Sequence, residues 1–191
     1  MRLLYRPKLD KIVELLLYLA HKRPGADKYQ AVKFFYLADR AHLNRHGRPI
    51  TQESYFALPY GPVASKAMDL LEQDRWTMNE AGIEALPFAV SDESRKGKPV
   101  TVIGKPLREV NFELFSKSDL KVFDEVIAEF GKCTFEQLFE VTHDHNAYKK
   151  AWARRRPNSK RAEMYYDEMV ESDELRQSLV EDFGGISQFL E

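Results

Sequence analysis

The side chains in this sequence most suited to metal or nucleophilic chemistry are its five histidines and its single cysteine. His42 and His46 stand four residues apart, the spacing at which two imidazoles on one helix face can share a zinc ion. Between them lie Leu43, Asn44 and Arg45, so the glutamate of a hydrolase motif is missing, and Gly47 marks the end of the helix before further ligands arrive. His143, Asp144 and His145 follow Thr142 as a small cluster of donors and acceptors. Imidazoles at i and i+2 leave a regular helix in different directions, so the simpler reading is a capping segment in which Thr142 or Asp144 accepts backbone N–H bonds. Cys133 with one of those histidines is the only visible thiol–imidazole combination, and no third group is evident to orient it. Gly82, Gly97 and Gly104 form no phosphate cradle, and Gly184-Gly185 runs into Ile186 and Ser187 without a Gly-Lys-Ser pattern. The expectation is a binding protein with no catalytic residue, no metal and no cofactor.

The elements that would position these residues are mostly helices. A first helix is expected from about Pro7 to Lys22, with Leu9, Ile12, Val13, Leu16, Leu19 and Ala20 at helical spacing and Pro24-Gly25 as its stop. Asp27 fits as N-cap of a second helix to about Asn44, whose inward stripe is Val32, Phe35, Tyr36 and Leu43. A turn at 46–49 precedes a short strand within Glu53 to Leu58, limited by Pro59. Gly61 and Pro62 then introduce a short amphipathic helix ending near Asp74. The polar stretch from Ser91 to Pro99 reads as a loop, and Val100–Ile103 with Val110–Phe115 as a hairpin. Ser118 is the expected cap of a helix closed by Gly131, and Thr134 with Gln137 has capping-box spacing. A further helix carries Tyr148 and Trp152, the stretch from Arg161 to Phe183 is expected to be helical, and Gly184-Gly185 is expected to loosen the chain before Phe189 and Leu190. The fold class is mainly α with a small β element, an α+β arrangement. Residues 1–157 form the principal domain and residues 158–191 an acidic helical extension packed on it.

At 191 residues the chain can bury a substantial core, and 43% hydrophobic with 31% charged residues is a globular balance. The longest apolar run, Leu15 to Ala20, is too short for a membrane span, and Lys8, Asp10, Lys11 and Glu14 break the place where a secretory signal would lie. One cysteine excludes an intrachain disulfide, and a cytoplasmic location is the expectation. The formal net charge of −1 conceals an asymmetry: bases exceed acids up to Ala162, whereas Arg176 is the only base from Glu163 onward. Lys149, Lys150, Arg154, Arg155, Arg156, Lys160 and Arg161 form a basic run that either pairs with this acidic segment or attracts an acidic partner or nucleic acid. The element order also admits a winged-helix DNA-binding regulator, with Pro62 to Asp74 as recognition helix and Lys98, Lys105 and Arg108 on the wing. Asp69, Glu72 and Asp74 oppose that reading, because they would face a phosphate backbone.

The run from Lys33 to Arg40, then His46 to Thr51, then Tyr55 to Val63, together resemble the SocA-like antitoxin family, also called the Panacea domain. Phe115 to Asp119, and Thr142-His143 with Trp152 downstream, resemble its second half. The resemblance covers roughly Gln30 to Trp152. It implies a mostly helical fold and an antitoxin that binds and neutralises a partner toxin encoded nearby, in a family that also occurs in phage-linked genes. Its family-like positions here are Asp39, Arg40, Tyr60, Gly61, Pro62, Val63, His143 and Trp152. Asp39 and Arg40 are expected either to hold the Gly61-Pro62 turn or to contact the toxin, and exposed Tyr60 and Trp152 to anchor an interface. Occlusion of the toxin, inactive storage and hand-off to a protease all stay open, as does self-association.

Overall fold

Every residue from Lys11 to Ala20 is buried, so the first helix is enclosed on all sides where one apolar face was expected. This emerges from a computed structural model that describes residues 2–95 and 97–187. The helix, α1 (Leu9–Lys22), begins just after Pro7. Its two buried charges are each met from a distant part of the chain. Lys11 Nζ donates to Asp119 at 2.6 Å, and Glu14 accepts from the Asn111 amide at 2.8 Å and from Arg108. Helix α2 (Lys28–His46) is the central element, packed against three other helices and two strands. Asp27 and Gln30 cap it reciprocally, and Gly47 closes it at φ +71°, a left-handed conformation suited to glycine.

Strands β1 (Tyr55–Leu58) and β2 (Gly61–Ala64) form a tight antiparallel hairpin, with Leu58 opposite Gly61. The short helix expected after Gly61-Pro62 is present as α3 (Ser65–Leu71), but Gly61 and Pro62 themselves lie in a strand, and the helix ends before Asp74, which caps α4 (Arg75–Glu80). Pro62 is tolerated because β2 is an edge strand, paired on one side only, with β1. Helix α3 has no cap of its own at Ala64. Buried Glu53 replaces it by accepting the Lys66 and Ala67 amides at 3.0 and 2.9 Å, while burial pushes its carboxyl up to about 8 against those bonds.

The expected loop at 91–99 is instead the tip of a long hairpin, β3 (Phe88–Arg95) with β4 (Lys98–Pro106). Its outer part is polar because it has no core to cover. Thr101 bonds Asp92 across the strands, and Arg95 reaches Asp27. The segment expected as the second hairpin arm, 110–115, is irregular and carries a 3-10 turn at Phe112–Leu114.

Helix α5 (Lys117–Phe130) is capped by Ser116 with Asp119, not by Ser118, whose hydroxyl lies 3.0 Å from His42 Nε2. Helices α6 (Phe135–Asp144) and α7 (Asn146–Ala153) follow, α6 with the expected Thr134–Gln137 box. The stretch expected as one helix from Arg161 divides into β5 (Ala162–Glu163), a 3-10 turn at Tyr166–Glu168 and α8 (Asp173–Ser187). Strand β5 extends the small sheet by pairing with β1, and Tyr166 enters the core. Helix α8 runs through Gly184 and Gly185, while Phe189 and Leu190 lie outside the described residues. The molecule is thus mainly helical with two small sheets, and none of its described helices is long and apolar enough to cross a membrane.

Asp119 ties three elements together from the interior. It accepts from Lys11 and Arg48 at 2.6 and 2.8 Å and from the Ser116 amide, with His42 Nε2 at 3.1 Å. Burial alone would raise its pKa, but the bonds from His42, Lys11 and Ser116 outweigh it and hold the carboxyl far below the ordinary carboxylate range. Because the folded pKa is depressed, the stabilisation is present above the unfolded value near 3.8 and is lost as pH falls below it. Replacing Asp119→Ala strands the Lys11 ammonium and is expected to cost about 3–5 kcal/mol in urea unfolding at neutral pH. The difference from wild type should shrink as pH drops below about 4.

Candidate functional site

The family-like residues fall into an interior network and a surface network. Asp39, fully buried on α2, accepts from the Ile50 and Thr51 amides at 2.8 and 2.9 Å, from the Thr51 hydroxyl at 2.5 Å, and from Tyr55 and Tyr166 at 2.9 and 3.2 Å. Burial raises its pKa despite these donors. Its neighbour Arg40 points elsewhere, to Glu171 at 2.6 Å. Neither is the brace of the Gly61-Pro62 turn that the sequence led us to expect.

That brace is Lys33. Its ammonium is buried on α2 and donates to the Pro62 carbonyl at 2.7 Å, with the Tyr29 ring 4.8 Å away. Burial lowers its pKa to about 7. From the other side, His143 on α6 sets Nε2 3.2 Å from the Pro59 carbonyl and Nδ1 2.7 Å from that of Phe139. Tyr148 on α7 donates to the Leu58 carbonyl at 2.9 Å. Gly61, at φ +96°, sits so tightly that an added Cβ would lie 3.0 Å from atoms of His143, Lys33 and Thr142 alike. The β1–β2 turn is therefore held by α2, α6 and α7 together. Pro62 and Val63 are buried beneath it, while Tyr60 at its tip is 64% exposed.

Outward from this clamp runs a continuous line of rings. Tyr29 packs on Phe135 (centroids 4.4 Å apart), Phe135 on Phe139 (6.1 Å), Phe139 on His143 (3.6 Å), His143 on Tyr148 (4.3 Å), and Tyr148 on Trp152 (6.0 Å). Tyr60 joins at Phe135, 5.9 Å away, and Arg155 covers Trp152 at 4.3 Å. Trp152 is half-buried, so the exposed anchors are Tyr60 and Phe135, not Tyr60 and Trp152. Phe135, Phe139 and His143 recur every fourth residue, as do Tyr148 and Trp152. That periodicity is legible in the sequence. Lys33 opens the family-like run without being marked out in it, and Tyr29 lies before that run.

The remaining candidates have structural partners. His42 Nδ1 lies 2.7 Å from the Arg48 carbonyl, and His145 faces the Tyr36 hydroxyl at 3.2 Å, with its pKa lowered by burial to about 4. Thr142 donates to the Leu138 carbonyl within α6, and Asp144 pairs with Lys149, so the capping roles expected for them are not seen. Of the basic run, Arg154 pairs with Glu168 of the acidic segment, whereas Arg155 and Arg161 cover the rings of Trp152 and Phe56. Lys98 and Lys105 stand exposed on β4, but Arg108 is committed to Glu14, and Pro62 to Asp74 is not a single helix. The segment expected as recognition helix is thus a strand and a short helix, and of the three expected wing contacts one is already paired.

The family model described as Antitoxin SocA-like, Panacea domain, matches residues 32–152. No curated protein and no solved structure matches the chain.

Two consequences of the clamp are measurable. Gly61→Ala forces a side chain into a left-handed, crowded position and should destabilise by about 1–3 kcal/mol, seen as a lower Tm. The folded chain holds the Lys33 proton less tightly than the unfolded chain, so this group makes stability rise as pH increases from about 7 to 10.5. In Lys33→Met that contribution should vanish from the pH profile of urea unfolding.

Proposed function

The chain belongs to the SocA-like antitoxin family through its Panacea domain, and from that premise we propose that it binds and neutralises a cognate toxin protein by direct contact. The observation that carries this reading is the convergence of Tyr60, Gly61, Pro62, Val63, His143 and Trp152 on one turn and the line of rings around it. Large aromatic side chains bury much area at low conformational cost, and groups of them near a rigid backbone are the usual sources of interface energy. Tyr60 and Phe135 supply exposed area there, and the clamp beneath fixes the turn that carries Tyr60. In this reading Asp39 acts from the interior and does not touch the toxin. The protein acts in the cytoplasm and its partner is encoded by an adjacent gene. Covering the toxin's active surface is the mode of neutralisation that such a contact supports.

The test is co-expression with each adjacent gene product. A neighbour that arrests growth alone should be tolerated beside this chain, and the two should purify together. Tyr60→Ala and Phe135→Ala should each weaken the complex by about 2 kcal/mol without lowering Tm. Absence of both rescue and complex with folded proteins would refute the reading, and salt-dependent binding to duplex DNA would replace it.

A further inference from the structure

Beside the β1–β2 turn lies a groove of about 370 Å³ between α2, the turn and α3. Its walls are Val32, Leu58, Pro59, Val63 and Met68, with Tyr29 and Tyr60 at the lip. Its only charged lining residues are lysines: Lys28, Lys33 and Lys160. Lys28 is engaged by Glu72 and Lys33 by the Pro62 carbonyl, which leaves Lys160 exposed and without an ion pair among the described residues. The hydroxyl of Tyr29 is buried and has no hydrogen-bond partner.

Backbone acceptors beside the groove are already spent, since the Leu58, Pro59 and Pro62 carbonyls face Tyr148, His143 and Lys33. The groove therefore presents apolar walls and donors, with no free acceptor among those carbonyls. Its complement is an apolar side chain accompanied by an acceptor of negative charge. Resting on the antitoxin reading, we propose that this groove captures a segment of the toxin in which a large aliphatic or aromatic residue is flanked by Asp or Glu. The apolar residue fills the space above Val63 and Met68. The carboxylate lies within the field of Lys160. A phosphate backbone would satisfy the donors but would leave the apolar walls uncovered, so a protein segment is the better match.

The experiment is selection of random linear peptides displayed on phage, using the intact chain as bait. Enriched sequences should combine a large apolar residue with neighbouring acids. Met68→Trp, which fills the groove, and Lys160→Glu, which reverses its free charge, should each weaken a selected peptide about tenfold or more. Tyr29→Phe removes a hydroxyl that is closed to solvent and has no partner, so it should leave Tm equal or higher and the peptide affinity unchanged. Lys160 is exposed, so loss of binding in that variant is not loss of fold, and thermal melts check Met68→Trp. Neutral or basic enriched peptides, or wild-type affinity in Met68→Trp, would overturn the assignment. If the wild-type chain rescues growth beside a toxic neighbour and both groove variants rescue equally well, the groove falls and the antitoxin reading stands. If the wild-type chain rescues no neighbour, the antitoxin reading itself falls.

Discussion

Removing the Asp39 carboxylate from water is costly unless donors surround it, and this fold is arranged so that they do. The donors come from the turn after α2, from β1 and from Tyr166 far along the chain, so satisfying one side chain brings three segments to a single point. Once Thr51 and Tyr55 are placed, β1 has its position, β2 follows across a tight turn, and Gly61 meets α6. The surface that carries Tyr60 is thus set from inside the molecule. Asp39 has no exposed face, so any effect it has on a partner must pass through the hairpin.

Buried ionisable groups recur as the organising device. Lys11 with Asp119 and Glu14 with Arg108 are ion pairs, while Glu53 at the start of α3 and Lys33 at Pro62 bond to backbone groups, and each joins separate elements. Such contacts add little net stability compared with apolar packing, but a mispaired alternative leaves a polar group stranded, which counts against other registers. The apolar core supplies the bulk of the stabilisation, and these polar contacts select among arrangements of it.

Helix boundaries were legible wherever a cap was chemically explicit. Asp27 with Gln30 and Thr134 with Gln137 are reciprocal caps in sequence and in structure. At α5 the expected cap was Ser118, but Ser116, with an acid three residues later, is the cap. Strands were harder to read because their determinants are not local. Pro59 ends β1 as expected, but Pro62 resembles a breaker and yet occupies a sheet edge that needs no N–H. The polar arm of β3 resembles a loop because its partner is a strand and not a core. At the candidate site, family-like residues could be picked out, but the lysine that braces them could not. A lone ammonium in an apolar stripe gains its meaning only when a carbonyl from another element arrives beside it.

The bond between Tyr166 and Asp39 spans much of the chain, and β5 likewise reaches back to β1. During synthesis the residues of the aromatic surface leave the ribosome first, yet the segment that completes their foundation follows later. The order of emergence makes full assembly of this surface wait for the synthesis of Tyr166. A nascent chain that stops short of Tyr166 therefore presents its rings before their foundation is complete.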